Sequence, residues 1–99
     1  MINEKLPPIH PGEILREEFI KPMNINIDNL AKNINVSAII LQQIISETKE
    51  ITPEIALRLS KYFGLSEKFW LNIQLKYDLE VTKDKLEDKL DQEIQPIKY

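Results

Sequence analysis

The sequence predicts an all-α protein of five short helices followed by one more helix at the C-terminal end. Three observations predict it. Apolar residues recur at three- and four-residue spacing, the period of a helix face. The two glycines and six prolines fall where such stripes begin or end. No alternating run bounded by tight-turn dipeptides is present, so strands have no signature.

The first helix follows His10-Pro11. Proline is well placed at the first helical position, where its missing N–H would have no partner. Ile14, Leu15, Phe19 and Ile20 form the stripe, Glu17 and Glu18 lie outside it, and Pro22 stops the helix. Asn26 caps the second helix, with Asp28 favoured in its first turn by the helix dipole. Ile27, Leu30, Ala31 and Ile34 face inward. Asn35, a residue that tolerates left-handed backbone, breaks the helix. Ser37 caps a third helix with Leu41, Ile44 and Ile45 inward. Thr52-Pro53-Glu54 opens a fourth, carrying Ile55, Ala56, Leu59, Tyr62 and Phe63, and Gly64 ends it as a left-handed cap. Ser66 caps a fifth, in which Phe69, Trp70, Ile73 and Tyr77 extend the core. Beyond Thr82, residues 83–95 set Leu86, Leu90 and Ile94 four apart on a charged background closed by Pro96. The expected organisation is therefore a helical body over 1–81 and an amphipathic helical extension over 82–99.

Composition excludes several function classes. There is no cysteine, which removes disulfides, thiolate metal sites and a thiol nucleophile and suits a reducing compartment. No apolar run approaches the ~18 residues of a membrane span. Residues 1–5 carry no signal-peptide stretch, so no membrane role and a cytoplasmic location are expected. His10 is the sole histidine and is expected to cap the first helix; no metal site and no cofactor are expected. The pairs Glu17-Glu18 and Glu87-Asp88 are sequence neighbours and point apart on a helix, so they form no acid–base pair. Without a phosphate-binding glycine loop or a Ser/His/Asp set, no catalytic residue can be named and an enzyme is not expected.

The spacing around Asn35 is that of a helix-turn-helix. The motif needs a small residue where two helices touch, a corner residue four later, and branched apolar anchors six and nine after the corner. Ala31, Asn35, Leu41 and Ile44 meet those requirements, with Leu30, Ile34 and Val36 completing the wedge. A plain helical hairpin shares this local pattern; the flanking sequence separates the two. His10-Pro11-Gly12-Glu13-Ile14-Leu15-Arg16-Glu17-Glu18-Phe19 opens the chain. Leu30-Ala31-Lys32, Val36-Ser37 and Ile51-Thr52-Pro53 follow, then the run from Ala56 to Gly64, then Phe69-Trp70-Leu71-Asn72-Ile73-Gln74 and Tyr77-Asp78-Leu79. Over nearly its full length the chain resembles the HigA-type antitoxins of the Xre, phage-repressor-like helix-turn-helix family. The resemblance implies a five-helix phage-repressor-like domain and a small, usually dimeric cytoplasmic protein. It also implies an autorepressor of its own operon that binds a RelE-like ribosome-dependent mRNA endonuclease toxin.

In that fold the outward positions of the recognition helix and its exit correspond to Ser37, Ala38, Ile39, Gln42, Gln43, Ser46 and Lys49, the expected DNA-binding residues. Glutamine can pair bidentately with adenine in the major groove; Ser37 brings a hydroxyl and a helix N-terminus for phosphate; Ile39 suits a thymine methyl. The family commonly carries arginine near positions 38 and 40, a glutamine at the start of the first motif helix, and an Asn-Gly-Lys/Arg-Arg stretch after the recognition helix. Ala38, Ile40, Ile27 and Ser46-Glu47-Thr48-Lys49 stand there instead. Between 26 and 50, Lys32 and Lys49 face Asp28, Glu47 and Glu50, a net charge of −1. Residues 1–77 carry nine basic and nine acidic side chains, so the chain's net −3 lies in the tail. Phosphate neutralisation supplies most nonspecific affinity, so two readings stand: weak or A·T-biased double-stranded operator binding, or an interaction module on the same scaffold that has lost it. The Ile39-Ile40 pair reads as an exposed apolar patch suited to a protein contact. Trp70 reads as core or as a dimer anchor. The stripe of Leu79, Leu86, Leu90 and Ile94 reads as folding back on the body or pairing with a partner helix, its acidic setting suiting a basic toxin.

Overall fold

The computed structural model describes residues 6–99, so the leader reading of 1–5 concerns residues outside that range. Among the described residues the order is α1 (Pro11–Ile14) continuing as a π-helical segment (Leu15–Ile20), α2 (Ile27–Ile34), α3 (Ala38–Ile45), α4 (Pro53–Phe63), α5 (Phe69–Leu86) and α6 (Lys89–Glu93), with no strand. None of these helices is long and apolar enough to cross a membrane.

Local chemistry accounts for most junctions. His10 Nδ1 accepts from the Gly12 N–H at 2.9 Å and so caps α1, as the sequence implies. Asn26 accepts from Asn29 N, Ser37 from Ile39 N and Thr52 from Ile55 N, each occupying an otherwise unpaired N–H of the first turn. Gly64 ends α4 at φ +69°.

Three elements depart from expectation. The first helix widens to a π-helical turn, in which Lys21 N donates to Arg16 O. Ile14 and Phe19, and likewise Leu15 and Ile20, are five residues apart, so the wider turn brings both pairs toward one side; an α-helical period would spread them. Ser66 does not start α5 directly. It accepts from Lys68 N at 3.2 Å and holds a turn that delivers the chain to Phe69. Finally, α5 runs unbroken past position 82, so the junction expected between body and tail falls within a helix; the bend comes at Glu87, φ +47°.

Leu15, Leu30, Leu41, Ile44, Ala56, Leu59 and Trp70 are wholly buried and form the centre of the core. Phe19 joins three elements there, its ring centroid 4.8 Å from Phe63 and 5.2 Å from Trp70. Trp70 is therefore a core residue rather than a dimer anchor. Tyr62, placed by the sequence on the fourth helix beside the stripe of Ile55, Leu59 and Phe63, is instead 44% exposed. Gln74 is the buried polar exception in α5. Its side-chain oxygen accepts from the Ile51 N–H at 2.8 Å and its amide donates to Asp78 at 2.9 Å. That ties the segment entering α4 to α5. The tail does not fold back: every residue from Glu87 onward is exposed, Leu90 and Ile94 included.

Candidate nucleic-acid interface

Helices α2 and α3 form the predicted corner. Asn35 sits at φ +57°, ψ +48°, in the left-handed region. Val36 N donates to Ala31 O at 3.0 Å and Asn35 N to Lys32 O at 3.3 Å, which closes the end of α2 in the paired pattern of a left-handed cap. Ala31 is 5% exposed at the crossing, and the anchors Leu41 and Ile44 are fully buried. With those two side chains inward, Ile39, Gln42, Gln43 and Ser46 stand exposed on the opposite side of α3 at helical spacing.

Of the seven expected contact residues, six are solvent-exposed: Ser37, Ile39, Gln42, Gln43, Ser46 and Lys49. Ala38 is half-buried and packs against the core, so it offers DNA little. The apolar patch expected from Ile39-Ile40 reduces to one residue. Ile39 is 71% exposed, whereas Ile40 packs against the core, because α3 turns about 100° per residue and Ile40 adjoins the anchor Leu41.

What spacing alone could not reveal is how firmly α3 is held. Gly12 lies against its C-terminal end: a Cβ there would sit 1.7 Å from the Ile44 carbonyl oxygen. The Arg16 guanidinium donates to the Ile45 carbonyl and to Glu47 Oε2, the latter at 3.2 Å, while its Nε pairs with Glu17 at 2.9 Å. The hydrogen bond to Glu17, with help from Glu47, raises the Arg16 pKa further. Glu17 is lowered from its ordinary value, first by Lys21 and then by Arg16. Gln43 O accepts from Thr48 N at 2.9 Å and from the Ser46 and Thr48 hydroxyls, each at 3.1 Å. A second arginine holds the partner helix: Arg58 donates to Ile34 O at 3.1 Å and pairs with Glu54. The last carbonyls of α2 and α3, which helices leave unpaired, are thus capped from distant parts of the chain. The only sequence signal for Arg16 was its place in the opening block.

The surface so presented is polar, with one apolar side chain, and carries few cations. Lys32 and Lys49 are exposed, and Arg16 and Arg58 are each tied to a carboxylate. No group of three or more His, Asp or Glu side chains is gathered as a metal site among the described residues.

Compared with known proteins, the chain matches no family profile. Virulence-associated protein I of Dichelobacter nodosus is 47% identical over 81 residues, 82% of this chain and 75% of that protein. Antitoxin HigA-1 of Vibrio cholerae is 32% identical over 89 residues, 90% of this chain and 84% of that one. The structure of the Pseudomonas aeruginosa antitoxin HigA with the higBA promoter superposes with a TM-score of 0.87 at 38% identity, covering 92% of this chain and 99% of that chain. The chain belongs to the HigA antitoxin family. The fold described above therefore superposes closely on that of the P. aeruginosa HigA antitoxin.

Proposed function

We propose that this chain is the antitoxin of a type II toxin–antitoxin pair that represses its own promoter and neutralises a RelE-like mRNA endonuclease. It acts in the cytoplasm as a homodimer and performs no catalysis. Helix α3 enters the major groove of operator DNA, with Gln42 and Gln43 reading base edges and Ile39 meeting thymine methyls. Ser37 at the helix N-terminus, with Ser46 and Lys49 at its exit, contacts phosphates. Ala38 is at most a van der Waals neighbour. Two copies place two such helices on a two-fold-related operator, about one DNA turn apart.

One observation carries this reading. Gln42 and Gln43 are both exposed on a helix whose opposite side, Leu41 and Ile44, is wholly buried. The related antitoxin of P. aeruginosa was solved with promoter DNA, which supports it further. The net −1 over residues 26–50 favours the competing reading, an interaction module without DNA binding. Fluorescence anisotropy with the duplex upstream of the protein's own gene separates the two. Gln43→Ala should weaken binding roughly 5- to 150-fold, the range for one bidentate base contact, with unfolding temperature unchanged. No binding by the wild type even at low salt would establish the interaction module. Toxin neutralisation is tested by co-expressing the neighbouring small reading frame and scoring growth.

A further inference from the structure

The end of the recognition helix has a feature that neither its helical pattern nor its fold demands. Glu47 occupies the first position past the cap residue of α3, at φ +65°. Glu47 N donates to Ile44 O at 2.9 Å and Thr48 N to Gln43 O at 2.9 Å, the arrangement in which a left-handed glycine normally ends a helix. A glutamate there gives up backbone comfort that glycine would keep. In return its carboxylate reaches back to the first helix and accepts from Arg16 Nη2 at 3.2 Å, with both side chains partly open to solvent, 30% and 38%. The same guanidinium donates to the Ile45 carbonyl, so the cation is drawn onto the helix end. Glu47 follows Ser46 directly and lies inside the ~8 Å Debye length of physiological salt from the surface that would meet DNA.

We propose that Glu47 is an affinity-limiting residue: its carboxylate joins Glu17, which pairs with Arg16 Nε at 2.9 Å, in offsetting the Arg16 cation at the edge of the recognition helix, and so holds operator binding below what the scaffold allows. This rests on the operator-binding reading above. Between 26 and 50 the only other basic side chains are Lys32 and Lys49, opposed by Asp28 and Glu50, so removing this one carboxylate brings the segment from net −1 to neutral. An attenuated repressor lets its promoter respond to small changes in free antitoxin, because occupancy is then not saturated at low concentration.

Two variants separate charge from backbone. Glu47→Gln keeps the left-handed strain and an oxygen that can accept from Arg16, and removes only the charge. Glu47→Gly removes charge and strain together. Both are compared with the wild type, as full chains, by anisotropy with the upstream duplex at about 50 and about 200 mM salt, alongside thermal unfolding. Glu47→Gln should tighten binding about 3- to 10-fold at the lower salt and by less at the higher, as expected when a repulsive charge near phosphates is removed. Glu47→Gly should tighten it at least as much and also unfold at a higher temperature. Unchanged or weaker binding by Glu47→Gln, with the wild type binding, overturns the attenuator and leaves the repressor standing. A gain by Glu47→Gly alone overturns it too, since strain and not charge would then be the cause. If none of the three binds, the operator reading fails and the attenuator with it.

Discussion

Gly12→Ala tests how the recognition helix is held. The added Cβ would lie 1.7 Å from the Ile44 carbonyl oxygen and 2.7 Å from its carbon. Both are backbone atoms at the end of α3, so no rotamer change can make room; α1 and α3 have to separate by ~1.5 Å to reach ordinary contact. Forced overpacking of this kind costs about 1–3 kcal/mol. The Ile44 carbonyl also accepts from Glu47 N at 2.9 Å, and disturbing that bond adds about 1 kcal/mol. Alanine's smaller entropy loss on folding offsets roughly 0.4–1 kcal/mol. The net is about 2 kcal/mol, which lowers Tm by roughly 8–16 °C in a domain of this size. Gly64→Ala is the control: nothing lies within 4 Å of its Cβ, so only the left-handed strain at φ +69° is felt, about 1 kcal/mol and roughly 4–8 °C. Thermal unfolding by circular dichroism measures both. Gly12→Ala melting within about 2 °C of the wild type, or Gly64→Ala proving the more damaging, would refute the close approach of α1 and α3.

Two further outcomes follow from buried polar groups. His10 holds the Gly12 N–H on an unprotonated Nδ1, and burial lowers its pKa from 6.5 against the opposing pull of Glu47 and Asp78. A folded value below the unfolded one means the stabilisation is complete above 6.5 and is lost as pH falls through the folded value. Tm should therefore drop on acidification below 6.5, and His10→Asn, which keeps a capping oxygen that does not titrate, should flatten that drop; an identical pH profile for the two proteins refutes the linkage. Gln74→Leu fills a similar volume but leaves the buried Ile51 N–H without its acceptor. It should cost about 1–3 kcal/mol in chemical denaturation, and a change under ~0.5 kcal/mol would show that the bond does not brace α4 against α5.

The corner and the outward side of α3 were readable from the sequence because their determinants are neighbours in the chain. Asn35, Leu41 and Ile44 took the positions that corner geometry requires, and Gln42 and Gln43 faced outward as a consequence. The burial of Ile40 and the exposure of Tyr62 were misjudged. Both are apolar or aromatic residues beside a stripe, where a shift of some 100° around the helix decides which side of the boundary they occupy. The π-helical turn goes with the five-residue spacing of Ile14 to Phe19 and Leu15 to Ile20, which the three- and four-residue periods of an α-helix do not register.

By itself the sequence determined helix order, the capping at His10, Asn26, Ser37, Thr52 and Gly64, and the left-handed corner. Each of these is satisfied within a few residues, so the local chain carries the information. The tertiary structure alone decided what holds the reading surface still. Arg16 reaches Ile45 and Glu47 across 29 and 31 positions, Arg58 reaches Ile34 across 24, and Gln74 reaches Ile51 across 23. A hydrogen bond between residues that far apart leaves no mark in either one's neighbourhood; it exists only once the helices have packed and brought Arg16 and Arg58 to the carbonyls of Ile45 and Ile34, and the Gln74 side-chain oxygen to the Ile51 N–H.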